Sequence, residues 1–319
     1  MMLYATGFNA WNQLQFDSGQ SDANAFEDAE DEPNDLESFT CVLDQDVDRV
    51  SPFFSYTIAH LSNGQDLIAG SLPKDHARLR ALKRPPTLFA EASNGIVAVV
   101  DPSTGVLHQH PSLSSLVAND PPTHTFPNLT PITQLLAYST GFAALTSTSE
   151  VLTWGDERYP ACLGREPTPE RPANLPTPLP SLTSLPTGPI TTFSCCGSTL
   201  AALTAGNDLY VWGSTTAAGQ RGPLLPDLSP DGIPTPVVIF DENDDDRDQE
   251  GKDILDVAVG EEHMVVLTTA GEVFVVGGNG SGQLGTGGWR RVRLEGVVRK
   301  GRRVKGVAAG ARSSFLLVD

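Results

Sequence analysis

One short pattern recurs along the sequence, and it restricts the chain to folds built from repeated β-hairpins. Each copy starts with small residues, runs through apolar residues to a polar tip, and returns through apolar residues. Apolar runs of strand length around a tip rich in Gly, Asn or Asp are typical of β-hairpins. Three copies are clear and two are weaker, namely residues 138–155, 195–213 and 257–277, and then residues 54–70 and 92–108.

The two ends of the chain each carry half of this pattern. Residues 307–319 match its first half, and residues 3–15 match its second half. Joined together they make a sixth hairpin, which predicts that the N-terminal strand pairs with the C-terminal hairpin and closes a ring. A linear array of repeats would instead need a polar cap at each end.

These hairpins predict an all-β fold, and specifically a β-propeller. The apolar runs are nearly continuous, which indicates sheets that are covered on both faces, as blades stacked around an axis are. We therefore expect residues 1–319 to form a single propeller domain. Three segments are poor strand material and predict loops, which are the acidic segment 17–38, the Pro-rich segment 160–189 and the acidic segment 241–253.

The net charge of −18 is concentrated in two of these loops. Residues 17–38 contain nine acidic and no basic residues, and residues 241–253 contain eight acidic and two basic residues. Together they contribute −9 and −6, which is −15 of the −18. Such runs repel themselves and favour open, solvated loops, although they could also bind a partner.

A basic segment at residues 290–305 reverses this sign locally. It holds eight of the 21 Lys and Arg residues of the chain. Basic side chains there could protect a sheet edge, or they could bind an acidic partner. Aromatic residues that would stack on single-stranded nucleic acid are nearly absent, so we do not expect direct nucleic-acid binding. The candidate partner-binding residues are Arg290, Arg291, Arg293, Arg299, Lys300, Arg302, Arg303 and Lys305.

Motifs for a cofactor, a metal ion or catalysis are incomplete. A GxGxxG match at residues 280–285 is followed by Thr, Gly and Trp, where a nucleotide-binding helix would begin. Residues 241–252 lack the Gly and the Glu of a calcium loop. The four cysteines form no CxxC pair, and His108 and His110 have no evident third ligand. We expect no cofactor, no metal and no catalytic residues, and therefore no enzyme activity.

The sequence also carries no targeting or spanning signal that we can identify. No apolar stretch reaches the length of a membrane span, and the first residues lack a basic start followed by an apolar core. These features predict a protein of the cytoplasm and/or the nucleus, without a membrane partner.

Several copies continue beyond the hairpin in a recognisable way. Residues 276–285 (VGGNGSGQLG) resemble the "WGxNxxGQLG" signature of regulator-of-chromosome-condensation repeats. Residues 258–268 resemble the "AxGxxHxxxLT" half of the same repeat. Partial copies follow Trp154 and Trp212, and residues 7–14 are similar to the same element.

This resemblance implies a β-propeller of about seven blades, although six repeats can be counted. Either one blade has an eroded sequence, around residues 105–135 or 20–50, or the ring is smaller. The resemblance also implies structural roles, as core anchors, turns or packed polar groups, for the signature residues. These are Trp154, Gly155, Trp212, Gly213, Gly260, His263, Gly277, Asn279, Gly282, Gln283, Leu284 and Gly285.

The predicted function is a non-catalytic protein–protein interaction platform, acting as an adaptor or a regulatory subunit. Rigid blades that carry many loops suit partner recognition. The resemblance implies a protein partner, with a link to chromatin or the cytoskeleton as in some small family members. Two alternatives stay open: nucleotide exchange on a Ran-like small GTPase, and an unrecognised propeller enzyme.

Overall fold

The computed structural model describes residues 1–16, 33–213, 225, 228–229, 231–240, 251–284, 289–294, 298 and 301–319. These residues form antiparallel β-sheets in two compact units. The first unit combines Met1–Leu72 with Val238–Asp319, and the second consists of Pro73–Val237. The described residues form three sheets in each unit.

The first unit begins with five strands. They are β1 (Met2–Gly7), β2 (Leu36–Leu43), β3 (Val47–Pro52), β4 (Tyr56–Leu61) and β5 (Asp66–Gly70). Strands β3, β4 and β5 form a three-stranded sheet of their own. The acidic segment 17–38 is described only from residue 33 onwards, and its last three residues belong to β2.

The second unit contains three four-stranded sheets in which the strands follow chain order. The first sheet has β6 (Phe89–Glu91), β7 (Val97–Val100), β8 (Leu107–His110) and β9 (His124–Phe126). The second has β10 (Ile132–Tyr138), β11 (Gly141–Thr146), β12 (Val151–Gly155) and β13 (Thr177–Pro178). The third has β14 (Ile190–Cys196), β15 (Thr199–Thr204), β16 (Leu209–Gly213) and β17 (Thr235–Val237).

The second unit also contains short helices. They are α1 (Lys74–Arg80), α2 (Leu113–Val117), α3 (Pro160–Leu163) and a 3-10 helix (Pro180–Leu182). The Pro-rich segment 160–189 therefore contains α3, the two-residue strand β13 and the 3-10 helix, besides loop. Pro178 is tolerated in β13 because this strand lies at the edge of its sheet and needs no second partner.

The first unit is completed by six C-terminal strands. They are β18 (Ile254–Val259), β19 (His263–Thr268), β20 (Val273–Gly277), β21 (Arg290–Arg291), β22 (Val304–Ala309) and β23 (Ser313–Val318). Strands β18 to β21 form one sheet in chain order. The remaining two strands join β1 and β2 in the order β2-β1-β23-β22.

The two ends of the chain meet in that last sheet. Strand β1 pairs with β23 without interruption, from Met2 opposite Val318 to Gly7 opposite Ser313. The N-terminal strand thus pairs with the C-terminal hairpin, as the two half-repeats predict. Closure of a complete ring stays a prediction, as does the single domain over residues 1–319.

The number of sheets within the described residues is six, which is fewer than the expected seven blades. Neither candidate region for an eroded blade supplies another sheet in the described part. Residues 105–135 contain β8, α2, β9 and the start of β10, and residues 33–50 contain β2 and the start of β3. Their repeats look weak because they include outer strands, whose exposed positions carry little apolar pattern.

The continuous apolar runs correspond to the central strand of each hairpin pair. Every residue of β11, β15, β19 and β23 is buried. Both faces of these strands therefore pack against neighbours, as the near-continuous apolar sequence indicates. The largest fully buried side chains include Trp154 and Trp212 in the second unit, and Phe274 and Phe315 in the first.

The strand before each hairpin carries a β-bulge at a corresponding place in five of the six sheets. The register shifts lie between Val47 and Arg49, Ile132 and Gln134, Ile190 and Thr192, Ile254 and Asp256, and Val304 and Gly306. A bulge re-aims the side chain that follows it.

Two of these re-aimed side chains connect neighbouring sheets within a unit. In the first unit, Asp256 Oδ2 accepts a hydrogen bond from the Val307 N–H at 2.9 Å. In the second unit, the Gln134 amide donates to the Phe193 carbonyl at 2.7 Å and accepts from its N–H at 3.3 Å. Burial raises the pKa of the Asp256 carboxyl. At these two bulges the side chain therefore links one sheet to the next.

Candidate protein-interaction surface

The repeat signature folds into a turn that its own side chains stabilise. The Asn279 carboxamide oxygen accepts a hydrogen bond from the Leu284 N–H. The Gln283 carboxamide oxygen accepts from the Ser281 N–H at 2.8 Å. Gly282 and Leu284 both adopt positive φ angles, of 80° and 69°. These contacts place Asn279, Gln283 and Leu284 in the turn that follows β20, while Gly285 lies outside the described residues.

A second copy of this turn follows β1. Asn9 Oδ1 accepts from the Leu14 N–H at 2.9 Å, and Gln13 Oε1 accepts from the Trp11 N–H at 2.9 Å. Asn9 and Gln13 are 0% and 2% exposed. The similarity that the sequence shows between residues 7–14 and the signature is therefore a similarity of turn structure.

His263 is completely buried at the start of β19. Its Nε2 lies 3.0 Å from Ser314 Oγ, and that hydroxyl donates to the Gln283 carbonyl at 3.0 Å. Because the hydroxyl has a single hydrogen, the ring must donate from Nε2 to Ser314. Burial lowers the pKa of His263 to about 4, so the ring is neutral at pH 7.

The remaining signature residues lie in strand ends and cores. The Trp154 indole N–H donates to Gln109 Oε1 at 3.1 Å, and that of Trp212 donates to the Cys162 carbonyl at 3.3 Å. Gly213 has a φ of 133°, and a Cβ there would lie 2.1 Å from the Ser198 carbonyl oxygen. Gly155 and Gly277 also end strands, and Gly260 lies just before His263.

The basic segment supplies the candidate interaction residues, and the structure divides them into two clusters. The first, called basic cluster 1, consists of Arg290, Arg291 and Arg293. Strand β21 pairs with β20 at the edge of its sheet, with Arg291 opposite Phe274. The next apolar residues, Val292 and Leu294, pack against the core of the first unit. This alternation accounts for the exposure of Arg291 and Arg293, and Arg290 at the start of β21 is exposed as well.

One arginine of basic cluster 1 is already neutralised. Arg291 Nη2 lies 3.0 Å from Glu272 Oε1, and Lys252 Nζ lies 3.7 Å from the other oxygen of the same carboxylate. Arg290 and Arg293 form no ion pair with any residue in the described ranges.

Basic cluster 2 consists of Arg302, Arg303 and Lys305, at the start of β22. Lys305 Nζ lies 3.3 Å from Asp319 Oδ2, and the Arg303 N–H donates to Asp319 Oδ1 at 2.7 Å. This backbone hydrogen bond, helped by the charges of Lys305 and Arg302, lowers the pKa of Asp319. The Arg302 and Arg303 side chains are exposed and make no ion pair within the part of the chain that the structure describes.

Four arginines thus remain both exposed and unpaired in the described structure: Arg290, Arg293, Arg302 and Arg303. Arg290 lies in β21 and Arg293 follows that strand, whereas Arg302 and Arg303 directly precede β22, and both strands belong to the first unit. The other two candidates, Arg299 and Lys300, lie outside the described residues. Planar guanidinium groups of this kind suit carboxylate recognition, because they donate two parallel hydrogen bonds.

One hydrogen-bonded network of three polar side chains was not predicted from the sequence. Ser51 Oγ lies 3.0 Å from His60 Nε2, and His60 Nδ1 lies 2.6 Å from Asp66 Oδ1. The residue types match a nucleophile, a base and an orienting acid. Each residue is on a different strand of the β3-β4-β5 sheet, so the hydrogen-bonded network links all three strands. The spacing in sequence gave no signal, because strand pairing creates the contact.

The described residues contain neither a cluster of metal ligands nor a membrane-spanning helix. No group of three His, Cys, Asp or Glu side chains lies close enough to hold a metal ion there. His108 bonds Thr125 Oγ1 at 3.0 Å, and His110 is buried. None of the helices in the described ranges has the length and apolar character needed to cross a membrane.

The fold and the repeated turns define an all-β repeat protein of antiparallel, mostly four-stranded sheets. The family model of the regulator of chromosome condensation (RCC1) repeat matches residues 254–283, which contain β18, β19, β20 and the signature turn. Over these residues the chain is similar to RCC1 repeats, and its fold is that of an RCC1-like β-propeller.

Similar proteins support this assignment. The Arabidopsis thaliana RCC1 domain-containing protein RUG3, described as mitochondrial, is 29% identical over 193 residues. That match covers 59% of this chain and 40% of RUG3, so the chain spans about two-fifths of the relative it matches.

Two crystal structures show the same fold over almost the entire chain. Human WBSCR16 aligns with a TM-score of 0.56 at 16% identity, over 100% of this chain and 87% of its own. Prp20p from Saccharomyces cerevisiae aligns with a TM-score of 0.52 at 12% identity, over 99% and 90% of the two chains. At these identities the likeness concerns the fold alone.

Proposed function

We propose that this protein is a non-catalytic interaction platform that binds an acidic protein surface through basic clusters 1 and 2. The observation that carries the proposal is the set of four exposed, unpaired arginines in the described part of a chain whose net charge is −18. A charge reversal of this kind attracts and orients an acidic partner. RCC1-like propellers act as interaction or nucleotide-exchange proteins, which fits this role.

A similar solved structure supports an alternative function. Prp20p is described with binding properties to Gsp1p and histones. Exchange on a Ran-like small GTPase therefore remains the alternative, and a chromatin-associated protein is another candidate partner. The compartment stays a prediction of cytoplasm and/or nucleus, since the mitochondrial description belongs to RUG3 alone.

The experiment is an affinity capture with the tagged full chain from cells of its own source, followed by mass spectrometry. The test variant replaces Arg290, Arg293, Arg302 and Arg303 by Ser. Arg291 and Lys305 are left in place because they already pair with Glu272 and Asp319. The control variant replaces four basic residues of the second unit by Ser, which are Arg78, Lys83, Arg84 and Arg158.

Both variants lower the net charge by four, so non-specific attraction changes equally. We expect a stoichiometric partner that the control retains and the test variant loses, with binding that weakens as salt rises. A partner that both variants retain would show that the binding site lies outside the basic clusters. A captured small GTPase whose nucleotide release the protein accelerates above background would replace the platform by the exchange function.

A further inference from the structure

Arg165 is a buried cation in the Pro-rich segment of the second unit, and its partners are neutral. Arg165 is only 9% exposed to solvent. One terminal nitrogen donates to the Arg171 carbonyl at 2.8 Å. The other lies 3.1 Å from the Pro172 carbonyl, 3.2 Å from that of Leu175 and 3.4 Å from that of Thr153. All four acceptors are backbone carbonyls.

The positive charge of Arg165 is therefore uncompensated among the described residues. No Asp or Glu in the described ranges forms an ion pair with it, and its Nε–H has no hydrogen-bond partner there. Burial lowers the pKa of the guanidinium, yet arginine stays protonated at neutral pH. A buried charge without a counter-charge is costly, and an anion that arrives from solution would remove this cost.

Arg165 is one of the residues that line an open pocket of about 290 Å³. Arg165, Arg171 and Ser181 line it, together with Glu166 and Thr168. The Ser181 hydroxyl is also buried without a partner in the described part of the chain. The Arg171 side chain is exposed, while its backbone holds the loop through bonds to Thr168. Two cationic side chains and a residue with an unpartnered hydroxyl thus line one small space.

We propose that this pocket binds a carboxylate group, held by Arg165, Arg171 and Ser181. Two arginines and one glutamate line the pocket, which leaves one net positive charge. A monoanion neutralises that charge. A phosphate dianion would leave the pocket with a net charge of −1 and would be repelled by the Glu166 carboxylate. The carboxylate could belong to a small organic acid or to an acidic peptide. The proposal is independent of the basic clusters, which belong to the first unit.

The test uses acetate as the probe and the full chain as the receptor. Acetate labelled with ¹³C is titrated at constant ionic strength, and its NMR line broadening reports binding. We expect one saturable site. An acetylated glutamate peptide and inorganic phosphate are titrated in parallel, and the peptide separates a peptide source from a free acid.

Two variants probe the pocket and one serves as a control. Arg171→Gln removes a charged donor while the loop keeps its backbone bonds, and we expect affinity about tenfold weaker. Ser181→Ala removes the hydroxyl donor, and we expect affinity about fivefold weaker. Arg158→Gln removes the same charge from an exposed side chain that does not line the pocket, and affinity should not change. Unchanged circular dichroism and melting temperature establish that each variant is folded.

Three results would overturn the proposal. The first is a lack of saturation for acetate and the glutamate peptide alike. The second is an equal loss of affinity in Arg158→Gln and Arg171→Gln, which would show attraction to net charge only. The third is saturable binding of phosphate without binding of acetate, which would make the site specific for another anion. Loss of the partner in the affinity capture would leave this test unaffected.

Discussion

At the scale of single residues, His263 makes the stability of the folded chain depend on pH. The ring is buried and neutral, with a pKa of about 4 in the folded chain against 6.5 in a solvated histidine. As the pH falls below about 6.5, the unfolded chain binds a proton at His263, whereas the folded chain does not. The stability present at neutral pH is therefore lost progressively between pH 6.5 and pH 4.

We predict that His263→Gln reduces this pH dependence. Between pH 7 and pH 5 the free energy of unfolding of the unaltered protein should fall by roughly 2 kcal/mol more than that of the variant. Urea unfolding at the two pH values measures the difference. His124→Gln, which removes an exposed histidine, is the control and should keep the original slope. Equal slopes for the protein and for His263→Gln would show that the buried ring does not titrate in this range.

The contacts of single residues were only partly predictable from sequence. The family resemblance assigned structural roles to His263, Asn279 and Gln283, and these roles stay predictions that the hydrogen bonds support. Nothing in the sequence pointed to Ser314, because serine is common and its contact with His263 depends on the pairing of separate sheets. For the same reason Arg291 looked available, although Glu272 across the strand already neutralises it.

At the scale of elements, the turn after β1 depends on one buried carboxamide. Asn9 Oδ1 accepts from the Leu14 N–H, and the Asn9 N–H donates to Asp35 Oδ1 at 2.8 Å. We predict that Asn9→Ala lowers the free energy of unfolding by about 1–2 kcal/mol, because the Leu14 N–H loses its acceptor. Chemical denaturation measures this loss.

A matched control lies nearby. Asn34 is exposed, and only its backbone carbonyl bonds to Asn9, so Asn34→Ala should change stability by less than about 0.5 kcal/mol. Similar effects of the two substitutions would mean that the carboxamide of Asn9 contributes nothing specific to the turn.

Hairpins were predictable as elements, whereas the bulges and the short outer strands were not. Apolar runs around polar tips located β11–β12, β15–β16 and β19–β20 because these strands are buried on both faces. The outer strands β13, β17 and β21 have two or three residues with exposed positions, so they leave no periodic pattern. A bulge depends on pairing between strands, which composition does not encode.

At the scale of the whole molecule, the two compact units each have their own cores. Trp154 belongs to a core of the second unit, and Phe315 belongs to a core of the first. We predict that Trp154→Ala speeds amide hydrogen exchange more in strands of Pro73–Val237 than elsewhere, because removing a buried ring weakens the local core by about 3–5 kcal/mol. Mass spectrometry of the exchanged peptides measures the rates.

Phe315→Ala is the reciprocal variant and should speed exchange mainly in strands of the first unit. If each variant accelerated exchange by the same factor throughout, the chain would unfold as one cooperative body. That result would favour the single domain that the sequence predicts over two separately unfolding units.

The pairing of β1 with β23 also has a consequence for biosynthesis. Strand β23 is made about 300 residues after β1, which takes about 15–60 s at ordinary translation rates. Strand β2 can cover one edge of β1 early, but the other edge stays without its native neighbour throughout that time. The nascent chain therefore exposes one unpaired edge of an apolar strand until β23 is made, and a chaperone that binds unfolded chains would protect this edge from pairing with other chains.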